Sequence, residues 1–207
     1  AATYFDDQVS PAEGTSSEEF YQIYHKFGYD QAVSRASDSL SYVYRLDEKY
    51  WLMMLDSCMC EPVHETGGKL SEETVAWMKT QLEEAKKQGV TVIPVSHHNL
   101  LDESTLYPEE CTIENTKEVT ALLEAYGVPV YLSGHLHLQR IKKHTSNLNT
   151  PGGYGIREIV TSPLPMAPCQ YSILNWQADG SLSYHTKKVD IAGWAQRYGE
   201  EDENLLN

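Results

Sequence analysis

Between residues 71 and 133 the apolar positions of the chain alternate between two periods. Val75, Met78, Leu82 and Ala85 recur at helical spacing, and an apolar strand-like run over 90–96 follows at once. Val119, Leu122, Leu123 and Tyr126 repeat the helical stripe, and residues 128–133 repeat the strand. The boundaries have matching chemistry. Ser71 is a cap, Glu72 and Glu73 sit at the positive end of the first helix, Lys86 and Lys87 at its negative end, and Gly89 stops it. Asn115 with Glu118 has the spacing of a capping box, and Gly127 ends the second helix. Helix–strand–helix–strand with tight connections predicts parallel pairing in an α/β sheet.

The flanks follow other patterns. Upstream, Ser41–Leu46 and Tyr50–Asp56 are β-rich runs joined by Asp47-Glu48-Lys49, which reads as a hairpin. Its second run, YWLMML, is apolar throughout and is expected to be buried on both faces. Residues 1–16 read as extended or loop. Thr15-Ser16-Ser17 before Glu18-Glu19 starts a helix with the apolar stripe Phe20, Ile23, Tyr24 and Phe27, and His25 lies off that stripe. A short helical turn is expected around Ala32. Downstream, Gln139–His144 reads as a strand, Thr145–Gly153 as a loop closed by Pro151-Gly152-Gly153, and Ile191–Tyr198 as a last helix. Tyr154–Thr161, Gln170–Trp176 and Ser181–Val189 are expected to form a consecutive antiparallel layer, Ala178-Asp179-Gly180 turning the last hairpin.

Composition narrows the partners. A chain of 207 residues fits one domain or part of a larger one. Its formal net charge of −14 disfavours nonspecific binding to nucleic acid or anionic membrane. No apolar run reaches the roughly 18 residues of a membrane span. The polar start AATYFDDQVS lacks an initiator Met, so a processed or shortened form of a longer protein is expected. Cys58, Cys60, Cys111 and Cys169 are expected to be packed or free thiols, the C-x-C spacing of the first two being wrong for a zinc ribbon.

The chemistry gathers at two strand ends. The run over 90–96 leads into His97-His98-Asn99, and that over 128–133 into Gly134-His135-Leu136-His137. Sites in α/β sheets lie beyond the carboxyl ends of the strands. Four of the eight histidines at two matched ends therefore point to a metal site, imidazole suiting Zn, Fe and Mn-type ions. Neutral imidazoles alone are a poor dinuclear site, because two close cations need a bridging carboxylate. Asp56, at the end of the YWLMML run, is either a functional carboxylate or a loop cap. His64 stands alone in a loop and is expected to be solvated.

These two blocks resemble the second half of a calcineurin-like metallophosphoesterase, bacterial Ser/Thr phosphatase-like branch, over about residues 41–164. The resemblance implies an α/β fold, the C-terminal half of an αββα sandwich with a mixed sheet plus an antiparallel layer. Residues 1–207 would be one incomplete domain lacking its N-terminal metal-binding half. The family's first three blocks, D-x-H, G-D-x-x-D and G-N-H, do not occur here. By the resemblance His97 and His135 bind one divalent metal and His137 the other. His98, Asn99 and Gly134 lie behind the ligands or near substrate, Asn99 standing where the family often has Pro. The implied activity of the full-length protein is hydrolysis of a phosphate mono- or diester by a metal-bridging hydroxide, with two ions of Mn, Fe or Zn, this chain being inactive alone. A bacterial, extracytoplasmic or cell-envelope setting is also what such relatives imply.

Two other readings fit the residues. One is a non-catalytic binding module with a relic histidine cluster, presenting an acidic surface and aromatics such as Tyr4, Tyr29 and Tyr198. The other is a mononuclear zinc hydrolase using His97, His135 and His137, with Asp56 or Glu103 as base. A half-domain also predicts an unpaired sheet edge, hence self-association through that edge or a rearrangement that hides it.

Overall fold

The computed structural model describes residues 2–5, 8–11, 14–60, 65–103, 110–144, 155–177 and 179–199. His64, the loop through Pro151-Gly152-Gly153, the side chain of Tyr4 and the tail after Gly199 lie outside the described residues or side chains. A seven-stranded mixed sheet holds the site. Its strands, in spatial order, are β3 (Ala32–Arg35), β4 (Tyr42–Arg45), β5 (Tyr50–Met54), β6 (Thr91–Val95), β7 (Val130–Ser133), β9 (Arg157–Val160) and β8 (Arg140–Lys143). The β4–β5 hairpin is antiparallel, β5, β6, β7 and β9 run parallel, and β8 returns antiparallel to β9. Two small antiparallel pairs complete the strands: β1 (Ala2–Phe5) with β2 (Gln8–Pro11), and β10 (Gln170–Trp176) with β11 (Leu182–Lys188).

Two helices build the core that anchors the parallel strands. In α2 (Glu72–Gln88) the Ser71 hydroxyl accepts from the Thr74 amide, and Gly89 closes the helix at φ 68°. Its stripe Val75, Met78, Leu82 and Ala85 is buried as expected. Val119 and Leu123 of α3 (Thr116–Ala125) join it against Val43, Trp51, Met53, Val92 and Tyr131. The opposite face of the sheet, around Ile93, Val130 and Ile159, packs against Leu174, Trp176, Leu182 and Tyr184 of the β10–β11 pair. The architecture is thus the expected mixed α/β sheet with an added antiparallel layer.

Five local expectations are corrected. First, β9 is not part of an antiparallel layer with β10 and β11. It lies in the main sheet beside β7, where Glu158, Ile159 and Val160 are all buried. Second, a single 3-10 turn at Tyr29–Gln31 leads into strand β3 at Ala32, where a helical turn was expected. Third, Asn115 makes no capping bond to α3. Its amide instead clamps Leu70, accepting from the Leu70 N–H at 3.2 Å and donating to its carbonyl at 2.9 Å. Fourth, α1 (Ser17–Tyr24) forms with the Ser16–Glu19 capping box, yet its stripe is not inward: Phe20, Ile23 and Phe27 are 40%, 61% and 76% exposed. Fifth, the β5 run is buried mainly on one face, Trp51 and Met53 inward. α4 (Ile191–Tyr198) closes the described chain.

Candidate metal centre

Strands β6 and β7 lie side by side and deliver the two histidine blocks to one place. Their register rests on one residue pair, Val95 opposite Leu132. Beyond it the Ser96 amide donates to Leu132 O at 3.0 Å, and the Gly134 amide donates to His97 O at 3.0 Å. These two bonds set the blocks level. The ligating nitrogens of His97, His98 and His135 all fall within 4.8 Å of one another, an arrangement that could hold a metal ion. His135 Nδ1 is 2.9 Å from His97 Nε2. Two nitrogens on a tetrahedral zinc, with bonds of about 2.0–2.1 Å, stand roughly 3.3 Å apart. The pair therefore fits one ion after opening by a few tenths of an ångström.

His98 differs in kind. It is buried, and both its nitrogens are occupied: Nε2 lies 3.0 Å from Thr66 O, and Nδ1 lies 2.8 Å from Ser57 Oγ. A carbonyl only accepts, so Nε2 carries the proton and Nδ1 takes the Ser57 hydroxyl. No lone pair is left for a metal in this state. His98 instead braces the loop at Thr66 against the end of β6. His137 is exposed and stands outside the close group, although it is near enough to be felt by His97 and His135. Burial holds the His97 and His135 imidazoles below the usual histidine range, and neighbouring histidines push the same way. Burial does the same to His98. Neutral imidazole is the ligating form.

The backbone carrying the second block is strained. His135 and His137 both adopt left-handed conformations, at φ 62° and 54°. Such residues cost roughly 1–3 kcal/mol each outside glycine and gather at functional sites. A side chain on Gly134 would meet only His97 O at 3.8 Å and Thr161 O at 3.9 Å, so this glycine is not required by space. Gly68 is: a Cβ there would lie 2.4 Å from His98 Cγ and Nδ1. Gly68→Ala is therefore expected to displace the His98 ring and to destabilise the chain by about 1–3 kcal/mol, the usual range for overpacking. Urea unfolding of the two proteins checks this.

The carboxylates behave differently from the histidines. Asp56 accepts from the Leu40 and Cys58 amides, both at 3.2 Å, and so caps the loop after β5. It borders a cavity of about 860 Å³ that also touches His97 and is walled by Tyr24, Tyr29, Tyr42 and Met54. Glu103 is buried beside Arg140, 3.1 Å from its Nε. Among the described residues no carboxylate joins the close histidine group. None of the four cysteines is in a disulfide.

Of the residues that link the two blocks, the sequence singles out Asn99 and not Glu158. Asn99 Nδ2 donates to Ser133 Oγ at 2.9 Å and to Gly134 O at 3.3 Å, tying one block to the other. Glu158, in β9, accepts from both blocks. The one hint of it was a carboxylate inside the apolar run of β9.

No protein-family model matches the chain, and no curated protein sequence matches it. Among solved structures the chain is similar to a dimetal phosphatase from Danio rerio, at 14% identity and a TM-score of 0.48, over 62% of this chain and 52% of that one. The match thus spans about half of that protein's length. A likeness of this size assigns neither a fold family nor a reaction.

Proposed function

We propose that the chain supplies the imidazole side of a divalent metal centre in a metal-dependent phosphoesterase, acting on phosphate mono- or diesters. The observation that carries this reading is the pair His97 Nε2 and His135 Nδ1, 2.9 Å apart at the ends of two adjacent parallel strands. A divalent ion held there polarises a phosphoryl oxygen and lowers the pKa of bound water. The chain's own residues do the rest. His97 and His135 are the ligands of one position, His137 that of a second, and His98 and Asn99 hold the loops that carry them. The cavity beside His97 takes the organic part of the ester.

Imidazoles alone leave two cations uncompensated, so a second position also needs acidic ligands, and among the described residues no carboxylate joins the histidine group. On this reading the full-length gene product hydrolyses an aryl phosphate with Mn²⁺ or Zn²⁺, and the chain alone does not. Robust turnover by the isolated chain would show that no further ligand is needed, and would favour a mononuclear hydrolase.

A second reading draws on α1. Its exposed Phe20 and Ile23, on a helix with no buried residue, and Phe27 in the turn after it suit a non-catalytic binding module. Metal-dependent turnover by the full-length product that disappears with the histidines excludes that reading.

A further inference from the structure

The two histidine blocks are levelled by backbone bonds at the strand ends, from the Ser96 amide to Leu132 O and from the Gly134 amide to His97 O. Beyond these bonds each block continues as irregular chain. A further tie comes from the third strand. The Glu158 carboxyl group is fully buried in β9. Its Oε1 accepts from the Leu100 amide at 2.7 Å and from the Ser133 hydroxyl at 2.6 Å, and its Oε2 accepts from the Leu101 amide at 2.6 Å. Leu100 and Leu101 follow His97-His98-Asn99, while Ser133 comes just before Gly134-His135. One carboxyl group therefore grips the chain next to both blocks. Asn99 closes the ring, since its amide donates to the same Ser133 oxygen.

We propose that Glu158 is the positioning residue of the metal centre, setting the spacing of His97 and His135 through Leu100, Leu101 and Ser133. This rests on the reading of His97 and His135 as metal ligands. Glu158 touches neither imidazole in the hydrogen-bond pattern and acts only through these loops. A merely structural carboxyl would be indifferent to where its three donors lie. Here all three flank the histidines, and none comes from the helices of the core.

The substitution Glu158→Gln makes the tie testable. One amide oxygen can still serve Leu100 and Ser133, but the amide nitrogen would face the Leu101 N–H, donor against donor. The Leu101 side is released while the side-chain volume is kept. Ser133→Ala removes the tie from the other block and is the milder change. Leu82→Ala, in α2, loses core packing while leaving each of these hydrogen-bonding groups in place.

The experiment titrates Zn²⁺ into each variant of the 207-residue chain by competition with a chromophoric chelator, and records long-range ¹H–¹⁵N imidazole spectra without metal. Expected is a loss of zinc affinity of about 10–100-fold in Glu158→Gln, the range for residues that orient ligands, with a smaller loss in Ser133→Ala. Leu82→Ala should bind zinc as the parent does despite its lower stability. The His97 and His135 signals should shift in the first two variants and not in the third. Parental affinity and parental imidazole signals in a folded Glu158→Gln overturn the proposal, as does an equal loss in Leu82→Ala. If Glu158→Gln does not fold, Ser133→Ala decides by the same two readouts. If the parent itself binds no zinc, the metal reading fails, and the imidazole spectra alone judge the positioning.

Discussion

Replacing His97 and His135 together by Ala is expected to abolish divalent-metal uptake by this chain. The pair supplies the two nitrogens that stand 2.9 Å apart, and no carboxylate among the described residues joins them. Structural zinc sites owe about 10–16 kcal/mol of apparent binding energy to their full ligand set, so removing two ligands leaves little to hold an ion. Single replacements separate the roles. His137→Ala should leave uptake of one ion per chain and act only on a second position. His98→Ala should act on the fold first, because it strips the ring partner from Ser57 Oγ in the interior and from Thr66 O on the adjoining loop. Metal content after equilibrium dialysis, read beside the unfolding midpoint of each variant, gives the result. Full metal content in His97→Ala/His135→Ala would place the ion elsewhere and remove the basis of the proposed function.

What the sequence made legible follows the range of the forces involved. The α2 stripe and its cap, the two parallel strands and the meeting of two histidine blocks all come from local periodicity and from the strand-end rule, which act within a few residues. Missed features depend on contacts far apart in the chain. The helical stripe of α1 is real, but a stripe says only which residues share a face and not whether anything covers it; here Ile23 and Phe27 stay open. The pattern at Asn115 looks like a cap, yet Leu70, 45 positions away, competes successfully for its side chain. The separation of β9 from β10 turns on which neighbour buries each strand, a property no single strand encodes. Among the histidines, spacing alone could not show that His98 has both nitrogens engaged while His97 faces a cavity.

The stabilising contribution of Glu158 in the metal-free chain is expected to fall as the pH rises from about 5 to about 7, the reverse of what a salt-bridged carboxylate gives. Burial raises Glu158 to about 7, although the Ser133, Leu100 and Leu101 donors pull it down, and the neighbouring Glu103 carboxyl adds to the rise. Glu103 is itself raised by burial, against the pull of Lys142 and Arg140. No donor is aligned on either Glu103 oxygen. Protonating one of the two neighbouring carboxyl groups removes their mutual repulsion. A carboxyl whose folded pKa lies above its unfolded value stabilises fully below the unfolded value, near 4.5, and loses that contribution as the pH passes about 7. The span corresponds to stabilisation on the order of 3 kcal/mol. The histidines oppose this on the acid side. His97, His98 and His135 lie below their usual range, so their contribution is present above the unfolded histidine pKa and is lost as the pH falls through the lower folded values. Subtracting the profile of Glu158→Gln from that of the parent isolates the change that comes with removing the Glu158 titration. The parent's advantage over that variant should shrink from about pH 5 to about 7 in urea unfolding. A difference that stays constant across that window would mean that Glu158 holds no proton in the folded chain.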